Sequence, residues 1–77
     1  MAAGHTYKTI DLVGTSSDGV TEAIASAVNR AQQTLKGLDW FEVGSIRGEI
    51  VDGHIAWYQV AVKIGFRVMT DEELKAL

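Results

Sequence analysis

Apolar residues recur along the chain with two different periods, which predicts strands on either side of one helix. Residues 6–13 alternate with the period-two pattern of a strand. Residues 20–36 instead carry an apolar stripe at helical spacing, made of Val20, Ala23, Ile24, Ala27, Val28, Ala31 and Leu35. The glycine- and serine-rich residues 14–19 predict a turn, and Gly37 predicts the end of the helix. Three residues of the turn are candidate N-caps: Ser16, Ser17 and Asp18.

The second half of the chain predicts a hairpin of two strands, over residues 38–50 and 54–67, joined at Asp52-Gly53. In the first strand the apolar alternation changes phase, which an extra residue at Gly44-Ser45 would explain because side chains alternate with period two. The second strand is regular. One of its faces carries Ala56, Tyr58, Val60, Val62, Ile64 and Phe66, and the other carries Trp57, Gln59, Ala61, Lys63, Gly65 and Arg67.

The loop length of this hairpin decides which residues face each other. A two-residue loop would place Ile46 opposite Gln59 and mix polar with apolar side chains on both faces. A three-residue loop, over residues 51–53, places Ile46 opposite Tyr58 and keeps one face apolar. The pattern therefore favours the three-residue loop.

The end of the chain carries a short helix signal, since Thr70 and Glu73 form a capping box before Leu74 and Leu77. The predicted order is β-α-β-β. It indicates an α+β fold in which one helix packs its stripe on one face of a three-stranded antiparallel sheet, followed by a short C-terminal helical extension. We expect a single domain over residues 1–77, with a core over 6–67 and an extension over 68–77.

The composition narrows the function classes. A domain of 77 residues usually needs additional support, and without cysteine it has no disulfides. His5 and His54 lack ligand-spaced partners, so oligomerisation is the expected support. A net charge of −3 without a basic stripe argues against nucleic-acid binding. No apolar run is long enough to span a membrane, and the first residues lack a signal-peptide core, which predicts a cytoplasmic protein.

The hairpin face turned away from the helix combines residue types that suit a ligand platform or an interface. It carries Trp40, Glu42, Arg47, Glu49, Trp57, Gln59, Lys63 and Arg67. Tryptophan offers a stacking surface, arginine a planar fork for a phosphate or carbonyl, and glutamine a donor and an acceptor for the edge of a heterocycle. Ordinary alternatives remain open: Trp40 as a core residue, Trp57 as interface packing, and Arg47 as a salt-bridged strand residue near Glu49.

Short runs spread along the chain carry a family resemblance. They are Tyr7-Lys8, Val13-Gly14-Thr15-Ser16, Ala27-Val28, Arg30-Ala31, Thr34-Leu35, Leu38-Asp39-Trp40-Phe41-Glu42-Val43, Arg47-Gly48, Asp52-Gly53, Tyr58-Gln59-Val60 and Lys63-Ile64-Gly65-Phe66-Arg67. In this order they resemble the dodecins, small flavin-binding proteins, and most of all the bacterial branch. The chain departs from the family at Ser17, where members commonly have proline, and in its extension beyond Arg67.

The resemblance implies a β-α-β-β subunit whose three-stranded antiparallel sheet is wrapped around its one helix. It also implies a hollow homododecamer with flavin pockets between subunits, each holding a pair of stacked isoalloxazine rings. In the family a tryptophan stacks on the flavin, and Trp40 matches it. A glutamine hydrogen-bonds the isoalloxazine edge, matched by Gln59, and an arginine before glycine lies at the pocket, matched by Arg47. Candidates for the phosphate are Arg67, Lys8 and His5. The bacterial branch usually holds FMN, with riboflavin or FAD as alternatives, and some members also bind coenzyme A.

The resulting hypothesis is a flavin storage and sequestration protein that is not an enzyme. The sequence shows no paired acids, metal spacing or nucleophile constellation that would predict catalysis. Two alternatives remain. A small flavoprotein reductase would need space for a substrate and a reduced nicotinamide, whereas a ligand-free assembly module would form a large oligomer that stays colourless with added flavin.

Overall fold

The computed structural model describes residues 4–70 and Glu72. The chain forms β1 (Tyr7–Ser16), α1 (Val20–Gln32), β2 (Leu38–Val51) and β3 (His54–Arg67). The three strands make one antiparallel sheet in the order β1-β3-β2. This confirms the predicted β-α-β-β topology, with β3 in the centre. The capping box and apolar residues of the predicted tail helix lie, apart from Thr70, outside the described residues.

The helix packs on the sheet through a row of alanines, which confirms the predicted stripe. Ala23, Ala27 and Ala31 are buried against Val60, Val62 and Ile64 of β3. These small side chains let the helix axis approach the strands closely. Gly14 of β1 is part of the same contact, because a Cβ there would overlap the backbone carbonyl of Ala23. The core is therefore a thin layer between one helix and the even-numbered face of β3.

The start of the helix differs from the prediction. β1 continues to Ser16, which pairs with Tyr58, so the predicted turn over residues 14–19 is reduced to its last three residues. None of the three candidate residues caps the helix. The N-cap is Gly19, without a side-chain hydrogen bond, and Ser16 Oγ instead accepts the Asp18 N–H at 2.9 Å. Pairing with β3 keeps the chain extended longer than the glycine and serine content indicates.

The helix also ends earlier than predicted, at Gln32 rather than at residue 36. The N–H of Leu35 still donates to the carbonyl of Ala31 at 3.0 Å, and the chain then leaves the helix axis. Gly37 adopts a left-handed conformation with φ of 75° and accepts the N–H of Arg67 at 3.0 Å. Its positive φ therefore directs the chain onto the end of β3 instead of closing the helix.

The predicted bulge in β2 is confirmed, but the predicted hairpin loop is wrong. Gly44 is the extra residue between Val43 and Ser45, which pair with consecutive residues of β3. The strands are joined by a two-residue turn, with φ of 51° at Asp52 and 79° at Gly53. Two consecutive positive φ values are those of a type I′ turn, whose twist matches that of paired strands.

A second irregularity restores the apolar face that the two-residue turn alone would have mixed. The register shifts between Glu49 and Ile50, which leaves Ala56 of β3 as an extra residue. As a result Ile46 lies opposite Val60, two residues from the predicted partner. A displacement by two residues keeps every side chain on its face, because strand side chains alternate with period two.

The helix leaves part of the sheet uncovered. α1 packs mainly on β1 and β3. On the same face, the apolar residues of β2 remain exposed: Phe41, Val43, Ile46 and Ile50. The described part of the chain measures 58 × 21 × 14 Å, since the hairpin extends beyond the helix. Among the described residues no helix is long and apolar enough to cross a membrane.

Candidate functional site

The surface of the sheet opposite the helix, here called the open face, holds four of the six residues that the sequence singled out. It is formed by the odd-numbered residues of β1, by those of β3 from Trp57 onward, and by their partners in β2. Gln59 and Arg67 lie on it directly. Trp40 and Arg47 join them because they pair with Gly65 and Gln59 of β3.

The indole of Trp40 lies over Gly65 of the central strand. A Cβ at its partner Gly65 would overlap Cε2 and Cζ2 of the indole, so the ring occupies the space above the glycine. Gly65 is buried, whereas the tryptophan itself keeps 42% of its surface exposed. The glycine thus provides a seat for the indole, and the remaining ring surface is available for stacking.

Two further side chains define this end of the sheet, here called the Trp40 end. Tyr7 lies opposite Arg67 on the open face. The pKa of Tyr7 is raised, chiefly by hydrogen bonding to the Asp39 carboxylate, with desolvation and the carboxylate charge adding to the effect and the Arg67 guanidinium opposing it. Asp39 directly precedes Trp40.

Gln59 belongs to a separate cleft at the other end, here called the Gln59 end. It pairs with Arg47 of β2 and with Thr15 of β1. A cleft of about 310 Å³ is lined here by Thr15, Glu49, Trp57 and Gln59. Trp57 is 47% exposed. The cleft therefore offers an amide donor and acceptor beside an aromatic surface and next to a guanidinium.

The two ends are well separated within one chain. Gly65, beneath Trp40, lies six residues along β3 from Gln59. At the rise of an antiparallel strand this is about 20 Å. Between them a charged row crosses the sheet, with Asp11 and Glu42 on either side of Lys63. Trp40 and Gln59 of the same chain are therefore too far apart to touch one small planar ring.

The three phosphate candidates have different positions. Arg67 lies on the open face at the Trp40 end. Lys8 pairs with Phe66 and so belongs to the helix-side face, and His5 precedes β1. The structure therefore does not bring Lys8 to the side of the sheet on which Trp40 lies.

The sequence pattern assigned no role to Tyr7, Asp39 or Gly65, although all three lie at the Trp40 end of the sheet. The signal for Gly65 was its position among the open-face residues of the central strand, where a glycine leaves room for a large neighbour. Within residues 4–70 and Glu72, no group of three or more His, Asp or Glu side chains could hold a metal ion.

Comparison with known proteins gives a consistent result. The family model Dodecin matches residues 6–69. A curated dodecin from Thermus thermophilus is 49% identical over 65 residues, which cover 84% of this chain and 94% of that protein. The structure of dodecin from Streptomyces coelicolor superposes with a TM-score of 0.85 at 51% identity, covering 91% of this chain and all of that one.

Among the similar solved structures are variants of the Thermus thermophilus dodecin. Two carry an arginine-to-alanine substitution and one a tryptophan-to-phenylalanine substitution. Each has a TM-score of 0.84 and 46% identity to this chain, of which it covers 87%, while at least 98% of the other chain is matched.

Proposed function

The chain belongs to the dodecin family, and on this basis we propose that it is a flavin storage and sequestration protein. It holds FMN-type flavins against tryptophan at the interfaces of a hollow homododecamer in the cytoplasm, and it protects the bound flavin and quenches its excited state. It performs no reaction of its own. Residues 1–77 form one dodecin-like domain, with residues 68–77 as an extension.

The observation that carries this proposal is the packing of the Trp40 indole over Gly65. A half-exposed indole fixed against a strand is a stacking surface for a planar heteroaromatic ring. Stacking between a base and an aromatic side chain contributes about 1–3 kcal/mol per ring, which gives the scale for a flavin. Close contact with an electron-rich indole also offers the excited flavin a route to its ground state without emission.

The 20 Å separation of the two ends, about six strand residues, supports a site shared between subunits. Trp40 of one subunit stacks on the ring, and Gln59 of another subunit bonds the polar edge of the isoalloxazine. Arg47 pairs with Gln59, so it enters the shared site from the same subunit as Gln59. A single copy of the chain holds only half of such a site at each end of its sheet.

The uncovered apolar surface of β2 supports the assembly. Phe41, Ile46 and Ile50 are 51%, 57% and 73% exposed on the helix-side face, where the helix does not cover β2. Burial of such side chains contributes about 1.5–3 kcal/mol each, and a second copy of the chain would provide it. Ile46→Asp should therefore give smaller particles than the parent protein in size-exclusion chromatography with light scattering. A dodecamer of unchanged mass would count against this surface as an interface.

The variants of the Thermus thermophilus dodecin support the choice of residues. Its substituted tryptophan is followed by substituted arginines seven residues later and a further twenty residues later. Trp40, Arg47 and Arg67 have the same order and spacing in this chain. We assign Arg67 to the flavin phosphate because it lies on the open face at the Trp40 end. His5 and Lys8 are the remaining candidates. Lys8 is disfavoured because it lies on the helix-side face, opposite the face that holds Trp40.

FMN is the proposed ligand, with riboflavin and FAD as alternatives and coenzyme A as a second ligand class. The direct test is the absorbance spectrum of the purified protein, followed by addition of FMN. Flavin bands that co-elute with the oligomer support the proposal. A colourless oligomer that stays colourless with FMN would indicate a ligand-free assembly module, and oxidation of NADPH in the presence of an acceptor would indicate a reductase.

A further inference from the structure

A second half-exposed tryptophan shares the cleft of Gln59. Trp57 lies two residues before Gln59 on the same face of β3, which is about 7 Å at the rise of an antiparallel strand. Both side chains line the cleft of about 310 Å³, together with Glu49 and Thr15. A planar ring that reaches the amide of Gln59 through this cleft therefore meets the Trp57 indole.

The backbone of Trp57 is held in place by its neighbours in β2. Glu49 lies directly opposite, and Ala56 is an extra residue just before Trp57. A Cβ at Gly48 would overlap the carbonyl oxygen of Trp57, so the two strands approach each other closely at this point. Bulges are frequent beside functional sites, where they redirect a side chain. The indole therefore stands on a fixed backbone, although 47% of the residue's surface is exposed.

The surroundings of Trp57 differ from those of a residue that packs in a subunit interface. The exposed apolar side chains of β2 that suit subunit contacts lie on the helix-side face, whereas Trp57 lies on the open face. The other three residues that line its cleft are polar. An aromatic surface beside a few polar groups is typical of a small-molecule site, and the core of a protein interface is more apolar.

We propose that Trp57 is a second flavin-contacting residue, which enters the shared site from the subunit that contributes Gln59. Trp40 of one subunit stacks on the isoalloxazine, and Trp57 of another packs against the part of the ring that Gln59 bonds. This inference rests on the proposed flavin-binding function. It extends recognition of the ring to two indoles on different subunits, so tight binding requires both ends of the sheet.

The first experiment measures FMN affinity by titration of flavin fluorescence. Trp57→Leu should raise the dissociation constant at least about fivefold, which converts to about 1 kcal/mol, the lower end of the scale for a stacked ring. Trp57→Phe keeps a smaller ring and should fall between Trp57→Leu and the parent. Val51→Ala is the matched control and should bind like the parent, because Val51 is 49% exposed at the same end of the hairpin and does not line the cleft.

The second experiment uses the emission lifetime of the bound flavin, because quenching by an indole requires close contact. The chain has two tryptophans, so in a Trp40→Phe background Trp57 is the one that can still quench. At saturating FMN the lifetime should lengthen further when Trp57→Phe is added to Trp40→Phe. Equal lifetimes in these two variants would overturn the proposal.

The outcomes separate the failure of this inference from that of the proposed function. If the parent binds FMN and Trp57→Leu binds it equally well, the inference alone is overturned. Equal weakening in Trp57→Leu and Val51→Ala would also overturn it, as would a smaller particle mass of both Trp57→Leu and Trp57→Phe in light scattering, which would assign Trp57 to subunit packing. If only Trp57→Leu loses mass, the lifetimes decide. A parent protein that binds no FMN would refute both the function and the inference.

Discussion

Gly65→Ala is the substitution that most directly probes the seat of Trp40. An alanine Cβ at this position would overlap three atoms of the indole ring, Cε2, Cζ2 and Nε1. Gly65 is not among the residues with positive φ, so the strand backbone accepts alanine. The conflict is therefore confined to the indole. The ring must move by at least about 1.4 Å to reach the 3.5–4.0 Å separation that carbon atoms prefer.

The size of the effect follows from the stacking energy. If displacement removes most of a contact of about 1–3 kcal/mol, the dissociation constant for FMN rises about 5- to 150-fold. The smaller value applies if the indole tilts and keeps partial overlap with the flavin. Unfolding is expected to remain cooperative, because the substituted residue still pairs with both neighbouring strands.

Gly44→Ala is the matched control for this prediction. Gly44 also lies in the hairpin and lines a groove of the open face. A Cβ there would meet only the carbonyl oxygen of Ala61 at 3.6 Å and its Cβ at 3.8 Å, which are ordinary contacts. FMN fluorescence titrations of both variants, with circular dichroism as a check of the fold, test the difference. Equal affinity of Gly65→Ala and the parent, or equal loss in both variants, would refute the reasoning.

Three other substitutions and one pH profile test separate parts of the account. Trp40→Ala should weaken FMN binding by about 1–3 kcal/mol in a titration, and Lys63→Ala should have a smaller effect. Arg67→Ala should weaken binding of FMN more than that of riboflavin, which lacks the phosphate; equal losses would remove Arg67 from the phosphate site. The hydrogen bond to Asp39 raises the pKa of Tyr7 above 10.0, so its contribution to stability is present below that pH and is lost as the pH rises through the raised value. Above pH 10 the Tm of the parent should therefore fall more steeply than that of Tyr7→Phe, and parallel curves would contradict this.

The faces of the hairpin were predictable from the sequence even though its loop was not. The alternation in β3 and the phase change near Gly44 sort the side chains by parity alone. The predicted three-residue loop was wrong, yet Trp40, Arg47 and Gln59 share a face because the actual register differs by an even number of residues. The bulge at Ala56 was missed because alanine in an apolar alternation gives no signal of an extra residue.

Position along the strands was the part of the site that parity could not supply. Trp40 and Gln59 lie on the same face but at opposite ends, and only the pairing register reveals this. The raised pKa of Tyr7 is caused chiefly by Asp39, on a strand that is not a neighbour of β1, so no local pattern encodes it. The helix ends differ from the prediction because of pairing with β3. This pairing keeps Ser16 extended, and the carbonyl of the left-handed Gly37 accepts the N–H of Arg67.

A titration of FMN with the purified protein, followed by flavin fluorescence, tests the central claim most directly. The account predicts that emission falls as protein is added and reaches a plateau at a fixed ratio of flavin to subunit. Emission that is unchanged at micromolar protein would contradict the proposal that Trp40 forms the stacking surface of a flavin store.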